Sequence, residues 1–495
     1  MIGIKYVVLV CKFHLTGFPR SSLGIFPDLC YKILIMDDSL LFSDSRDPGG
    51  FVENTSPGDG RTAPADCDDD RPPPRLRRVD RRQVRMMTCS LDDLLPTDHR
   101  ARIVWQVVEA LDLSLFEASI AARGSDPGRA ATDPRILIAL WLYAALDGVG
   151  NGREIDRLCD CHDAYRWLCG GVSMNYHTLN DFRVGHGEAL DDLLTQMIAL
   201  LVKLDLVGVS RVAQDGVRIR ASAGASSFRS SSSLERLHGE AHEHLEALKQ
   251  QNDPSLSAQQ HAKRLSDAAD RAARLDEVLR QLPIQQAAQE KSAKRSGLPE
   301  KRQTRLSTTD PDARIMKMPG GDFRPAYNVQ LAADVNSRAI VGVTVTNAGA
   351  DAQQSEPMRE QVEKRSGRKV KEQLMDGGYA SLDAIDKAES QGVTVYAPVN
   401  PPRKEGVDRY SRKPKDTDLT FAWRTRMATD EAKDIYKQRG ATIETINGDL
   451  TERRGLRQFP VRGSPKVNCV ALWLALAYNI LHFGSTLINA ANNLQ

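Results

Sequence analysis

Between residues 90 and 205 apolar positions recur at helical spacing. Leu91, Leu94 and Leu95 open the region, and Val104, Val107, Val108, Leu111 and Leu115 follow. Thr132-Asp133-Pro134 is a helix-start signal before ILIALWLYAALDG, with Gly148 as its stop. GREIDRLCDCHDAYRWLCGG and SMNYHTLNDFRVGHG then predict short helices broken by glycine pairs, the last ending near Gly185. Helix, tight turn and polar helix is the pattern of a helix-turn-helix. Its second helix would offer Tyr176, His177, Asn180 and Arg183 to DNA, although an ordinary helical bundle gives the same pattern. In VGVSRVAQDGVRIRA (207–221) the period changes to two. Val207, Val209 and Val212 lead into Asp215-Gly216, and Val217 and Ile219 alternate with Arg218 and Arg220. This predicts a β-hairpin turning at Asp215-Gly216, with Asp215 at the end of its first strand. The polar stretch SAGASSFRSSSS reads as a linker.

A second helical block follows. Leu234, Leu237, Ala241, Leu245 and Leu248 mark one amphipathic helix; Leu265, Ala269, Ala272, Leu275, Leu279 and Leu282 mark another, with QNDPSLS between them. The pair predicts a helical hairpin. Residues 291–305 carry six Lys/Arg against one Glu and read as a basic linker, either tracking phosphates or a solvated spacer. From 306 onward the pattern is α/β. RPAYNVQLAADVNSRAIVGVTVTN gives two strands joined at Asn336-Ser337, and DAQQSEPMREQVEKRSG a helix ended by Gly367. EQLMDGGYAS gives a short strand with Asp376 at its end and a helix start at Ser381, and GVTVYAPV a further strand. RKEGVDRYSRKPKD is a charged loop. Ala432, Ile435, Tyr436, Ile443, Ile446 and Leu450 mark one face of a late helix that Gly440 weakens. KVNCVALWLALAYNILHFG is a closing apolar helix, read as too short and too interrupted to span a bilayer.

Composition narrows the class. Of 495 residues, 67 are Lys or Arg and 65 Asp or Glu, a formal net charge of +2 that excludes a uniformly basic or an acidic disordered protein. Eight Cys are far too few for a disulfide scaffold, so a reducing, cytoplasmic setting is expected, with no membrane partner. Residues 1–85 stand apart. They hold an acidic run (Asp66, Asp68, Asp69, Asp70), then RPPPRLRRVDRRQVR (71–85) with seven Arg against one Asp. This predicts a disordered leader, or an upstream extension from an early start codon, with a basic arm on phosphates as the functional alternative. The organisation expected is therefore a leader (1–85), a helical DNA-binding domain (86–205), the first part of an α/β domain (206–233), a hairpin insertion with its basic linker (234–305), the second part of the α/β domain (306–463) and a terminal helix (464–495).

Asp215, Asp376 and Glu444 are the acids placed to meet at strand ends. In a regular helix Glu444 sits about 100° from its buried neighbour Ile443. Carboxylates brought together repel unless a cation intervenes, and oxygen ligands suit Mg²⁺ or Mn²⁺. Strand-end Asp is also a common turn former, so spacing alone leaves both readings open. Cys159, Cys161, His162 and Cys169 match no common tetrahedral metal spacing and read as incidental. His238, His242 and His244 read as a solvated helix face, and Tyr327 and Asn328 as strand packing, with an approach to the acids as the alternative.

AQDGVRIRASAGASSF, STTDPDARIMKM…FRPAYNVQLAAD, LMDGGYAS and DEAKDIYKQRGATIE resemble bacterial insertion-sequence transposases of the DDE class. LWLYAALDGVGNGREIDRLCDCHDAYRWLCGGVSMNYHTLNDFR is similar to that family's helical N-terminal domain. The likeness covers roughly 90–485. It implies a ribonuclease-H-like mixed sheet with flanking helices, a helical N-terminal domain and the hairpin as an insertion. It implies that Asp215, Asp376 and Glu444 hold two Mg²⁺ or Mn²⁺ ions, Asp215 bridging them, and that Tyr436 and Arg439 hold phosphate or support the Glu. The reaction implied is cleavage at transposon ends followed by strand transfer into target DNA, by a homodimer on DNA. The wider signature places its Glu four residues after the Arg and a Lys seven later. Here Glu444 is five after Arg439 and Thr451 stands at the Lys position, with Arg453 nearby, so Glu431 and Glu452 are alternatives. Two other readings are a non-catalytic DNA-binding protein descended from a transposase, and a general nuclease of the same fold.

Overall fold

The computed structural model describes residues 90–124, 130–250, 255–296, 303–402 and 406–492. The expected leader and part of the basic linker lie outside the described residues. The first part is helical: α1 (Arg100–Ala110), α2 (Ser114–Ala118), α3 (Pro134–Asp147), α4 (Gly152–Cys161), α5 (Asp163–Cys169), α6 (Tyr176–Gly185) and α7 (Gly187–Lys203). Short polar side chains set the boundaries. Asp133, Asn151, His162 and Asn175 each accept a hydrogen bond from the backbone N–H two residues on, which starts α3, α4, α5 and α6. Gly148 ends α3 in the left-handed region, at φ 74°.

The sheet is built from β1 (Arg211–Arg220), β4 (Arg314–Lys317), β5 (Phe323–Asp334), β6 (Ile340–Thr346), β7 (Glu372–Leu374) and β8 (Thr394–Tyr396). Across it the order is β5, β1, β7, β8, with β4 and β6 sharing the outer edge of β5. β1 pairs antiparallel with β5, and β7 runs parallel to β1 and β8. With α10 (Ser355–Ser366), α11 (Leu382–Ser390), α12 (Asp418–Ala428) and α13 (Asp430–Arg439), this is a mixed α/β arrangement compatible with a ribonuclease-H-like domain.

One expectation fails here. Asp215-Gly216 is not a turn: β1 is a single strand of ten residues with Asp215 in its middle. The long partner β5 decides this, pairing from Val212↔Asp334 to Arg220↔Ala326 without interruption. Gly216 is small for another reason. A Cβ there would stand 2.4 Å from Gln330 Nε2 and 2.6 Å from Asp351 Oδ1, so Gly216 admits a close approach of polar side chains to the strand.

The insertion leaves and returns through a two-stranded ribbon, β2 (Phe228–Ser230), inside the polar stretch read as a linker, with β3 (Arg305–Ser307), at the end of the basic one. Its helices are α8 (Ser231–Gln250) and α9 (Ala258–Ser296). α9 passes through Pro283 and on to Ser296, so residues 291–296 of the expected basic linker are helix.

The final helix α14 (Ser464–Asn492) also departs from expectation. It is long and apolar enough, by length and composition, to cross a bilayer, but 72% of its most apolar window is buried against the rest of the chain. It packs on α1, α3, α7 and β6, and one apolar core runs from the N-terminal helices into the sheet. Asn479, fully buried in this helix, receives the Ile340 N–H and donates to the Ile340 carbonyl, each at 2.9 Å, satisfying the outer edge of β6.

Asp310 is buried beneath β5. Its Oδ1 accepts from Tyr327 Oη (2.7 Å) and the Gly463 N–H (3.2 Å), while Oδ2 has no partner among the described residues. Burial pushes its pKa above the ordinary carboxylate value. The folded chain therefore holds this proton more tightly than the unfolded chain. The stability it contributes is complete below the unfolded pKa and is lost as pH rises through the folded one. Asp310→Asn removes that ionisation. In denaturant titrations the variant should gain on the wild type as pH rises from the unfolded carboxylate value toward neutrality; a pH-independent difference contradicts the assignment.

Candidate active site

The parallel pair β1 and β7 sets the geometry. Their register ends at Ala213↔Leu374, and Asp215 and Asp376 each follow two residues later. Side chains alternate along strands, so both leave their strands toward the same side at neighbouring positions. Both lie just beyond the carboxyl-side end of the parallel pairing, the side on which open α/β sheets place ligand sites. Gly378 N–H donates to Asp376 Oδ1. A Cβ on Gly378 would come to 2.8 Å from the same oxygen, so this glycine lets the backbone close over the carboxylate.

Glu444 arrives from the far end of α13. That helix does not stop at Arg439: it widens into a π turn (Gly440–Glu444), recovers over Thr445–Gly448 and widens again over Asp449–Arg453. A π turn bonds five residues apart and brings i and i+5 onto one face. Arg439 and Glu444 are related in this way, and Arg439 Nη1 lies 3.2 Å from Glu444 Oε1. The fifth residue between Arg and Glu is thus absorbed by the turn. Of the alternatives, Glu452 is paired with Arg457, and Glu431 lies in the first turn of α13, eight residues before Arg439.

Arg439 joins the acids. Its Nη2 is 2.9 Å from Asp215 Oδ1, and its side chain is only 8% exposed. Asp215 is 17% exposed, and Glu444 is 64% exposed. Burial raises the Asp215 pKa, opposed by Arg439 and by the Gly216 N–H at 2.9 Å; the Asp376 charge raises it further. Burial alone would lower the pKa of Arg439, but the charges of Asp215, Tyr436, Asp376 and Glu444 raise it overall. Tyr436 is half-buried, and burial and the same three carboxylates raise its pKa. The three acids therefore share one electrostatic neighbourhood, with Arg439 between two of them.

Several contributors were not legible in the sequence. Asn447 donates from Nδ2 to Asp215 Oδ2 (3.1 Å), while its buried Oδ1 has no partner among the described residues. Asp351 is a fourth carboxylate at the rim: its Oδ1 accepts from Asn328 Nδ2 (2.7 Å) and Gln330 Nε2 (2.8 Å), and its Oδ2 lies 3.9 Å from Arg218. Asn328 thus sits beside the site rather than only packing the strand, whereas Tyr327 is turned to Asp310. The buried phenol of Tyr379 donates to Gln330 Oε1.

The residues expected to meet DNA on α6 divide. His177 is exposed, and Tyr176 and Asn180 are half-buried. Arg183 is 7% exposed; Nη1 donates to the Gly150 carbonyl (2.6 Å), and the guanidinium covers the Trp141 ring at 4.6 Å. Its charge serves the helical core, a departure from the expected DNA-facing role. His162 caps α5 through Nδ1.

Comparison with known families adds two matches. The family model of a transposase DDE domain matches residues 300–480, and that of a transposase domain (DUF772) matches residues 89–184. The chain belongs to the insertion-sequence transposases of the DDE class. Searches of curated proteins and of solved structures returned no match. Asp376 and Glu444 fall within the matched DDE domain of this transposase, and Asp215 falls between the two matched stretches.

Two substitutions test the site's construction. Arg439→Met should cost about 3 kcal/mol, because it leaves Asp215 buried without its counter-charge. Asp215→Asn in the same chain should recover most of that loss, as read in a double-mutant cycle of urea midpoints. Gly216→Ala should cost about 1–3 kcal/mol, since Gln330 and Asp351 must move to admit the methyl group; an unchanged midpoint contradicts the packing described.

Proposed function

We propose that this transposase is catalytically competent, cutting phosphodiester bonds at the ends of a mobile element and joining the freed 3′-hydroxyl to target DNA. We assign Asp215, Asp376 and Glu444 as its metal ligands. The observation that carries this reading is the shared cation: buried Arg439 spans Asp215 and Glu444, and Asp376 adds its charge to the same neighbourhood. The donor set fits a hard divalent ion. It consists of carboxylate oxygens, with the buried Oδ1 of Asn447, which has no partner among the described residues, beside Asp215. Mg²⁺ or Mn²⁺, as two ions, suits this set, and DDE transposases generally use divalent metals. Bound there, such ions neutralise the phosphodiester and favour the attacking and leaving oxygens.

The chain's own residues do the positioning. β1 and β7 hold Asp215 and Asp376 side by side, and the Gly378 N–H fixes one oxygen of Asp376. Glu444, on the exposed side, is the ligand free to adjust. Arg439 opposes the burial that raises the Asp215 pKa and acts here as a positioning residue. Tyr436, whose pKa all three acids raise, is assigned to meet a phosphate oxygen. The wide turn also removes the odd Arg-to-Glu spacing as a reason to favour a non-catalytic descendant. A homodimer on DNA fits the need to hold two element ends together.

The test uses cognate element ends with Mg²⁺. Asp215→Asn, Asp376→Asn and Glu444→Gln should each lower strand cleavage by about a hundredfold or more while end binding, read by gel shift, persists. Cleavage retained in any one of them removes that residue from the assignment. No cleavage by the wild type favours the non-catalytic reading, and cleavage without end preference favours a general nuclease.

A further inference from the structure

The helical hairpin insertion takes no part in the site above, and it carries a second constellation. His238 and His242 lie four residues apart on α8, on one face of the helix. From α9, Asp276 meets both: its Oδ1 is 2.7 Å from His238 Nε2 and 2.9 Å from His242 Nε2. The two imidazole rings lie 4.5 Å apart, centroid to centroid. Among the described residues this is the one group of three His, Cys, Asp or Glu side chains whose ligand atoms all lie within 4.8 Å of one another.

The placement is built in. Ala241, Ala272 and Leu275, with Leu237 and Leu245, form a small apolar core between the same two helices. His238 and His242 flank Leu237 and Ala241 in sequence, and Asp276 follows Leu275, so the core fixes the helix register that aligns the three polar groups. The side chains are 32%, 43% and 52% exposed, which leaves further coordination positions open to water.

We infer that His238, His242 and Asp276 form a binding site for a late first-row divalent metal of the Zn²⁺ class, which clamps the two helices of the insertion. Two imidazoles with one carboxylate suit Zn²⁺, Co²⁺ or Ni²⁺ and disfavour Mg²⁺. Ligands about 2.0–2.2 Å from such an ion in tetrahedral geometry are about 3.3 Å apart. The side chains need to open by only about half an ångström from their present hydrogen bonds. A site of this kind is distinct in ligand chemistry from the all-oxygen acids on the sheet, and the two can be filled separately.

The experiment titrates the full chain with Co²⁺ in millimolar Mg²⁺, which occupies hard oxygen sites, and follows visible d–d absorption; Zn²⁺ is then added as competitor. The wild type should bind one equivalent with bands of a low-coordinate nitrogen and oxygen site, and Zn²⁺ should abolish them. His238→Ala, His242→Ala and Asp276→Asn should each weaken binding about tenfold or more, whereas His244→Ala, on the same helix but outside the triad, should not. All four positions are at least partly exposed, and far-UV circular dichroism checks that the helices persist. Absence of Co²⁺ bands in the wild type, or equal affinity in all variants, overturns the inference. Cleavage activity is not the readout, so failure here leaves the assignment of Asp215, Asp376 and Glu444 standing.

Discussion

The buried guanidinium of Arg439 is the constraint on which the candidate active site rests. Asp215 is carried into low-dielectric surroundings by a long strand paired along almost all its length. An isolated carboxylate there would give up its charge. Arg439 supplies the opposing charge at 2.9 Å and reaches Glu444 with its other terminal nitrogen. Arginine suits this role because its planar fork stays charged when buried and addresses two acceptors at once. The arrangement keeps acids from separate parts of the chain together without closing them on one another.

The π turn is what allows one arginine to serve both acids. In a regular α-helix a residue five positions on lies more than a quarter-turn away. Widening the helix at Gly440–Glu444 removes that offset. It also returns Ile443, Ile446 and Leu450 to the core, so the helix keeps its apolar face. Such wide turns cluster at functional positions.

Much of this could be read before the fold was known. Capping residues, left-handed glycines and apolar periodicity located the N-terminal helices, and strands β5 to β8 followed from alternation and Gly/Ser punctuation. The reading erred where tertiary partners outvoted local signals. Asp215-Gly216 has the chemistry of a turn, but β5 holds it in a strand, and the glycine answers to Gln330 and Asp351 instead. The basic residues from Lys291 suggested a linker, yet α9 runs on to Ser296. Asp351 and Asn447 carry no pattern in one sequence, because only the sheet and the wide turn bring them to the acids. Arg183 looked like a surface cation and is used inside, over Trp141. The histidines of α8 looked solvated because their partner lies on another helix, 34 to 38 residues away.

The most direct test of the central claim is anomalous diffraction from crystals of the full chain grown with Mn²⁺. The account predicts manganese peaks about 2.1 Å from carboxylate oxygens of Asp215 and Asp376, with Glu444 drawn into contact. Manganese found only elsewhere, with Asp215 still held by Arg439 alone, would contradict it.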